Sequence, residues 1–253
     1  MTEPDGRQRR PSARGKASAL PSPQTLVEYA AAQLRESILS RDLAPGEWLR
    51  LDGIAQSLGM SPIPLREALR MLATEGLVVP QPHRGYVVAA ATVADLEETY
   101  RLRLVLEPLA VRLAVPRFTD EDFALLEQEV DGMAAAFAKG DWVAYRAHHR
   151  AFHFAIYERC NSGWLLRFAD MLWLNTQRYQ RLTMEIKGEL RARQREHKGI
   201  LVACRSRDAE AAGDLMHSHL NLALKALRGF LVKNEHLVGG AAAPSGVETV
   251  VPA

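Results

Sequence analysis

Between residues 26 and 38 apolar side chains return at helical spacing, as Leu26, Tyr29, Ala30, Leu34 and Ile38 in TLVEYAAAQLRESILS. A 3.6-residue period of this kind predicts an amphipathic helix with that stripe turned inward. Pro45-Gly46 in APGEWL breaks the pattern and predicts a turn. DGIAQSLG predicts a short helix that starts near Asp52 and closes at Gly59. SPIPLREALRMLATEG predicts the next helix. Ser61 fits its N-cap, Pro62 and Pro64 fit a first turn whose N–H groups are dispensable, and Gly76 fits the stop. On that helix Leu65, Ala68, Leu69 and Leu72 share the inward face. LVVPQPHRGYVVA then offers two short β-branched runs joined by a Pro/His/Arg/Gly loop, which predicts a hairpin.

That order of elements is the order of a winged helix-turn-helix. The second helix of its pair enters a major groove, and the hairpin lies along the backbone or minor groove. From Thr92 to about Asn234 the chain is rich in Ala, Leu and Arg and helical in period. Within it DWVAYRAHHRAFHFAIYERC predicts one helix, with Trp142, Tyr145, His149, Phe152 and Ile156 turned inward. The predicted fold is mainly α: a winged helix-turn-helix over 24–90, then an all-α bundle over 91–234. Residues 1–23, rich in Arg, Pro, Ser and Gly, read as a disordered basic tail. They are either a solvated leader or an arm that touches phosphates. Residues 235–253 read as a flexible tail.

Composition narrows the class. Of the 253 residues 47% are hydrophobic and 25% charged, as in a soluble globular protein. Cys160 and Cys204 form no CxxC pair, so neither a disulfide framework nor a thiolate zinc knuckle is expected, and a reducing cytoplasm fits. No apolar run reaches the ~18–20 residues of a membrane span, so no membrane partner is expected. Residues 24–90 carry six arginines (35, 41, 50, 66, 70, 84) against seven acids (Glu28, 36, 47, 67, 75; Asp42, 52), a balance of −1. DNA affinity must then come from where the arginines sit, from dimerisation and from the tail. Arg66 and Arg70 lie one turn apart on a flank of the predicted reading helix, within reach of phosphates or guanine edges; otherwise they are a solvated face. In the hairpin loop His83 and Arg84 precede Gly85, which permits close approach or a positive φ.

Three of the eight histidines fall in HHRAFH, 148–153. His149 and His153 are i,i+4 and share a face, while His148 points about 100° away. His197 and His219 lie in later helices, and a bundle core is where side chains from distant helices build metal sites. Imidazoles suit Zn, Ni, Cu or Fe; taken singly, each histidine could equally be a hydrogen-bonded core or surface residue. His217, about 200° round from His219, should face away.

The stretch LAPGEWL…IAQSLGMSPIPLREALRMLATEGLV…PHRGYVV resembles the winged-helix domain of the GntR family of bacterial transcription regulators. RLVLEPLAVRLA, FHFAIYERCNS and EHKGIL…HSHL resemble the all-helical ligand domain of its FadR-type (FCD) branch. The resemblance implies a homodimer on a palindromic double-stranded DNA operator, a repressor answering to a small carboxylate effector, and no enzyme. It assigns effector binding, metal binding and dimerisation to 91–234. It places DNA contacts at Ser61, Pro62, Ile63 and Arg66 and at the wing, Arg84-Gly85. Where the family often has arginine and threonine this chain has Pro62 and Ile63, so Arg66 and Arg70 carry more of the binding. It also implies a divalent metal, Zn or Ni, held by an Asp-x3-His pair and two later histidines. His153, His197 and His219 match those histidines, and His149 stands at the aspartate position, as a fourth ligand or as a neighbour. Arg103 is expected to face the ligand cavity, or else to pair with Glu107 on the helix surface for ~0.2–0.5 kcal/mol. Asn161 is expected to cap the histidine helix rather than bind ligand. The other readings are a metal-dependent enzyme on the bundle, which lacks an obvious carboxylate beside the histidines (Glu158 is the nearest on that helix), and a metal-free helical interaction module.

Overall fold

The computed structural model describes residues 23–82, 84–184 and 189–234. The tails expected at 1–23 and 235–253 therefore lie outside the described residues, except that Pro23 already opens the first helix. His83 also lies outside them.

The N-terminal unit holds α1 (Pro23–Ser40), β1 (Trp48–Leu49), α2 (Leu51–Leu58), α3 (Pro62–Thr74), β2 (Val78–Gln81) and β3 (Gly85–Val88). The strands form an antiparallel sheet in the order β1-β3-β2. Pro80 sits on β2, an edge strand, where its missing N–H costs no ladder bond. The predicted helices and hairpin are present, but β1 was expected only as part of a turn. Two residues show no period; the strand exists because it pairs with β3, and Val88 extends that pairing by donating to Glu47 O and accepting from Gly46 N–H, both at 2.9 Å. The inward stripe of α1 also differs from the expectation. Ala30, Ala31, Leu34 and Ile38 are buried, whereas Tyr29 is 51% exposed. One residue before Ala30 is about 100° round the helix, which takes the ring off the packed face.

Local chemistry sets the ends of α3. Ser61 occupies the N-cap in extended conformation, yet its hydroxyl makes no capping bond. Caps accept from the second or third helical N–H, and the third here is Pro64, which has none. At the other end Leu77 N–H reaches Leu72 O at 3.0 Å and Gly76 N–H reaches Ala73 O at 3.1 Å. That pairing needs a left-handed residue, which Gly76 supplies with φ +71°.

The helical unit comprises α4 (Val93–Ala114), α5 (Asp120–Lys139), α6 (Trp142–Tyr157), α7 (Gly163–Met184), α8 (Glu189–Arg205) and α9 (Ala209–Lys233). Thr92, Thr119, Asp141 and Asp208 each accept a backbone N–H at a helix start. α4 packs along α9 and α7, α5 along α6, and α8 against α9 and α5. The histidine helix is shorter than expected. α6 ends at Tyr157, a 3-10 turn runs from Glu158 to Cys160, and Asn161 closes it in left-handed conformation (φ +54°). Trp142 at its start is 37% exposed rather than inward, its ring 6.2 Å from that of Phe137 on α5.

Each unit has its own apolar core, one built on α1, α3 and the sheet, the other running through the bundle. Polar contacts join the units. Arg178 on α7 donates to Gly76 O at 3.0 Å, and Arg146 on α6 pairs with Glu36 on α1 at 3.1 Å. A Cβ on Gly76 would stand 2.5 Å from Asn175 Nδ2, so the end of α3 is seated directly on α7. No helix among the described residues is long and apolar enough to cross a membrane.

Candidate functional site

Burial of Leu65, Ala68, Leu69 and Leu72 turns the opposite side of α3 outward. Ser61, Pro62, Ile63, Arg66 and Arg70 are all exposed there, Ile63 by 74%. Arg70 is tethered to Glu67 at 2.6 Å on the same helix, whereas Arg66 has no such tether among the described residues. Arg84 is exposed at the hairpin tip, and Gly85 takes φ +100°. The fold therefore presents one helix face and one loop carrying these groups, in winged-helix order.

In the bundle, α6, α8 and α9 bring His149, His153, His197 and His219 together. One ring nitrogen from each lies within 4.8 Å of the others. His153, His197 and His219 are buried and His149 is partly so. Ring centroids are 4.7 Å apart for His149–His153 and His197–His219, and 5.4 Å for His153–His197. Trp173 of α7 walls the cluster, 5.1 Å from the rings of both His149 and His153. His148 is elsewhere, with Nδ1 2.7 Å from Glu129 on α5, and His217 is exposed.

Two carboxylates complete the surroundings: Glu196, which sequence reading missed, and Glu107, which it placed only beside Arg103. Glu196 Oε2 lies 2.7 Å from His219 Nδ1. Glu107 Oε2 accepts the Tyr157 hydroxyl at 2.5 Å, and that oxygen lies 3.0 Å from His153 Nδ1. Tyr157 is i+4 from His153, a spacing visible in the sequence. Glu196 adjoins His197 in the chain yet serves His219, which only the packing of α8 on α9 reveals. Of the two alternatives for Arg103, the pair with Glu107 is present, but it is not on the helix surface. Both are buried, at 2% and 0% exposure. Arg103 donates to both Glu107 oxygens and to Thr176 Oγ1 at 3.2 Å, and stacks over Tyr100.

Burial first, then mutual repulsion with the other histidines of the cluster, and then Arg103 and Arg193, hold the imidazoles neutral; for His219 the two arginines follow burial directly. His149, His153 and His197 sit well below the usual histidine range, and His219 is pushed down to about 3. Neutral imidazoles keep a lone pair for a ligand. His153 Nε2 and both ring nitrogens of His197 are buried with no hydrogen-bond partner among the described residues. Buried polar atoms are rarely left so, and several aimed into one cluster fit a cation. Imidazole nitrogens on one tetrahedral zinc stand about 3.3–3.4 Å apart, from bonds of ~2.0–2.1 Å, so the widest pair of this set would have to close by about 1.4 Å, shared between two rings. The residues present fit a divalent ion of the borderline type.

The chain matches the FCD domain over residues 98–222 and the bacterial regulatory proteins of the gntR family over residues 26–88. It is 30% identical over 201 residues to the HTH-type transcriptional repressor GlaR of Escherichia coli K12, covering 74% of this chain and 89% of that one. The chain belongs to the GntR family. Another relative is the Nta operon transcriptional regulator of Aminobacter aminovorans, 31% identical over 206 residues, 76% of this chain and 91% of that one. Among solved structures, E. coli McbR/YncC superposes with TM-score 0.71 at 28% identity, over 81% of this chain and 97% of that one. As a GntR member with an FCD effector-binding domain, the protein is a DNA-binding transcription regulator and not an enzyme. The metal-dependent enzyme that the histidines left open is thereby set aside.

Proposed function

We propose that the protein is a homodimeric, metal-containing repressor whose helical domain binds a small carboxylate and thereby alters its grip on a palindromic operator in the cytoplasm. The observation that carries this reading is the four-histidine cluster, three of its members buried and two with ring nitrogens unpartnered among the described residues, inside an FCD domain. His149, His153, His197 and His219 would hold a zinc or nickel ion, and that ion would supply a Lewis-acid centre for an anionic effector. The repressor sense is supported by relatives named as repressors, GlaR and the gluconate operon repressor of Bacillus licheniformis.

α7 supplies a physical route from site to DNA. Trp173 and Thr176 face the histidines and Arg103, while Asn175 and Arg178 of the same helix hold the end of α3 at Gly76. A ligand that binds better to one setting of α7 than another would bias the reading helix accordingly.

Ser61, Pro62, Ile63, Arg66, Arg70, Arg84 and Gly85 form the proposed DNA contact. In a titration with DNA from upstream of the protein's own operon, Arg66→Ala is expected to weaken binding by about 1–3 kcal/mol if it reads a base. If it meets a phosphate instead, the log–log salt slope should fall by about one. Absence of salt-dependent, sequence-selective binding by the unaltered protein overturns the regulator reading of this face.

Support for the dimer comes from α4, which exposes Leu102, Val105, Leu109 and Leu113 at i, i+3, i+7 and i+11. An apolar stripe of that length on a surface helix marks an interaction face. Leu109→Asp is expected to convert a dimer to monomer in sedimentation velocity; an unchanged dimer rules the α4 stripe out as its interface.

A further inference from the structure

Resting on the metal reading above, we propose that Glu196 and Tyr157 are positioning residues. They oblige His219 and His153 to present Nε2 to the ion, and Glu196 supplies the negative charge that a set of four neutral ligands lacks. The assignment follows from counting protons.

Start from Arg103. Its guanidinium is always protonated and donates to both oxygens of Glu107, so Glu107 is a carboxylate and can only accept. Tyr157 Oη is 2.5 Å from Glu107 Oε2 and must donate there. The phenol has one proton. Its contact with Met216 Sδ at 3.6 Å competes poorly with a carboxylate. With that proton committed, the oxygen can only accept from His153 Nδ1, 3.0 Å away. His153 therefore carries its proton on Nδ1, and the lone pair is on Nε2. That same Nε2 is the buried atom of the ring with no partner.

His219 reaches the same state by a shorter route. A carboxylate oxygen of Glu196 stands 2.7 Å from its Nδ1, which fixes the proton there and leaves Nε2 for the cluster. The two carboxylates differ in what their charge does. That of Glu107 is matched by Arg103 at contact distance within the core. Glu196 pairs with Arg193 at the longer distance of 3.8 Å, feels Arg195 as well, and bonds the imidazole directly. It also lines a surface groove of about 450 Å³ between α8 and α9, with Arg195, Ser218 and Leu222, on the solvent side of His219. A divalent ion among four imidazoles has no ligand to offset its charge, and Glu196 is placed to do so through the His219 ring. Among the described residues His197 has no partner of this kind: neither of its nitrogens is hydrogen-bonded there, and its ring packs on Phe152 at 5.2 Å.

The test uses the full chain loaded with zinc, and separately with cobalt(II) as a spectroscopic reporter. Glu196→Gln keeps size and shape and removes the charge; Tyr157→Phe removes the acceptor of His153. Each is expected to lower zinc affinity 10–100-fold in competition with a chromophoric chelator, without removing a ligand. In the cobalt protein each should shift the visible bands without changing their overall intensity, as ligand-field strength changes and ligand number does not. His148→Ala, on the far side of α6, should match the wild type. Wild-type zinc affinity and an unshifted cobalt spectrum in both Glu196→Gln and Tyr157→Phe overturn this proposal while leaving the metal site standing. A wild-type protein that takes up neither ion overturns the metal reading itself.

Discussion

Glu107→Ala is expected to destabilise the helical unit by about 3–5 kcal/mol, the cost of stripping a buried charge of its partner. Glu107 has no exposed surface, and Arg103 is 2% exposed. Removing the carboxylate leaves the guanidinium with Thr176 and the face of Tyr100, and leaves the Tyr157 proton without its acceptor. Against the ~5–15 kcal/mol total stability of an ordinary domain the loss is large. Urea denaturation should show it as a lower midpoint with an unchanged slope. The double variant Arg103→Met/Glu107→Leu should recover most of the loss, since a well-packed apolar pair avoids desolvating two charges. The exposed Arg70–Glu67 pair on α3 has similar spacing, yet its removal should cost ~0.5 kcal/mol or less, because water screens it. A Glu107→Ala protein within 1 kcal/mol of wild type would mean that water reaches the pair and that its burial is not maintained in solution.

The second large effect is removal of the ion. A ligand that binds only the folded chain stabilises it by about 2.7 kcal/mol at a hundredfold excess over Kd. For a unit of this size that corresponds to about 5–11 °C in Tm. Chelation of the loaded protein should lower Tm by that amount, and zinc should restore it. His197→Ala should show no chelator-dependent change, because it removes a proposed ligand whose two nitrogens have no hydrogen-bond partner among the described residues. His149 decides between two sites. Its ring lies 5.1 Å from His197 and its donor is one of the four within 4.8 Å, so His149→Ala should lose metal about as fully as His197→Ala. A His149→Ala protein that keeps stoichiometric zinc has a three-histidine site with His149 beside it. Metal content unchanged in both His153→Ala and His197→Ala would falsify the site altogether.

Much of the DNA-binding unit was legible from the chain because its signals are local. Pro62 and Pro64 at the start of α3, Gly59 and Gly76 at helix ends, and the four-residue rows of leucine each act within one or two turns. Gly85 and the β-branched runs act likewise in the hairpin. The same range accounts for what was misread. A period of 3.6 names a helix and roughly its inner face, but whether a flank residue such as Tyr29 or Trp142 is covered depends on what packs there. β1 needs β3, some forty residues later, to exist as a strand at all.

The bundle divides in the same way. The sequence by itself determined that α6 carries two histidines on one face, that later helices each carry another, and that Arg103 and Glu107 share a turn. It could not determine that three helices would place four ring nitrogens within 4.8 Å, or that Glu196 would serve His219 rather than its neighbour. Nor could it determine that the Arg103–Glu107 pair would be sealed from water and tied through Tyr157 to His153. Those facts depend on distances between side chains up to 70 positions apart, as for His149 and His219, and on the dielectric around them. Helical period fixes which way a side chain leaves its own helix, whereas the packing of one helix against another decides what it meets.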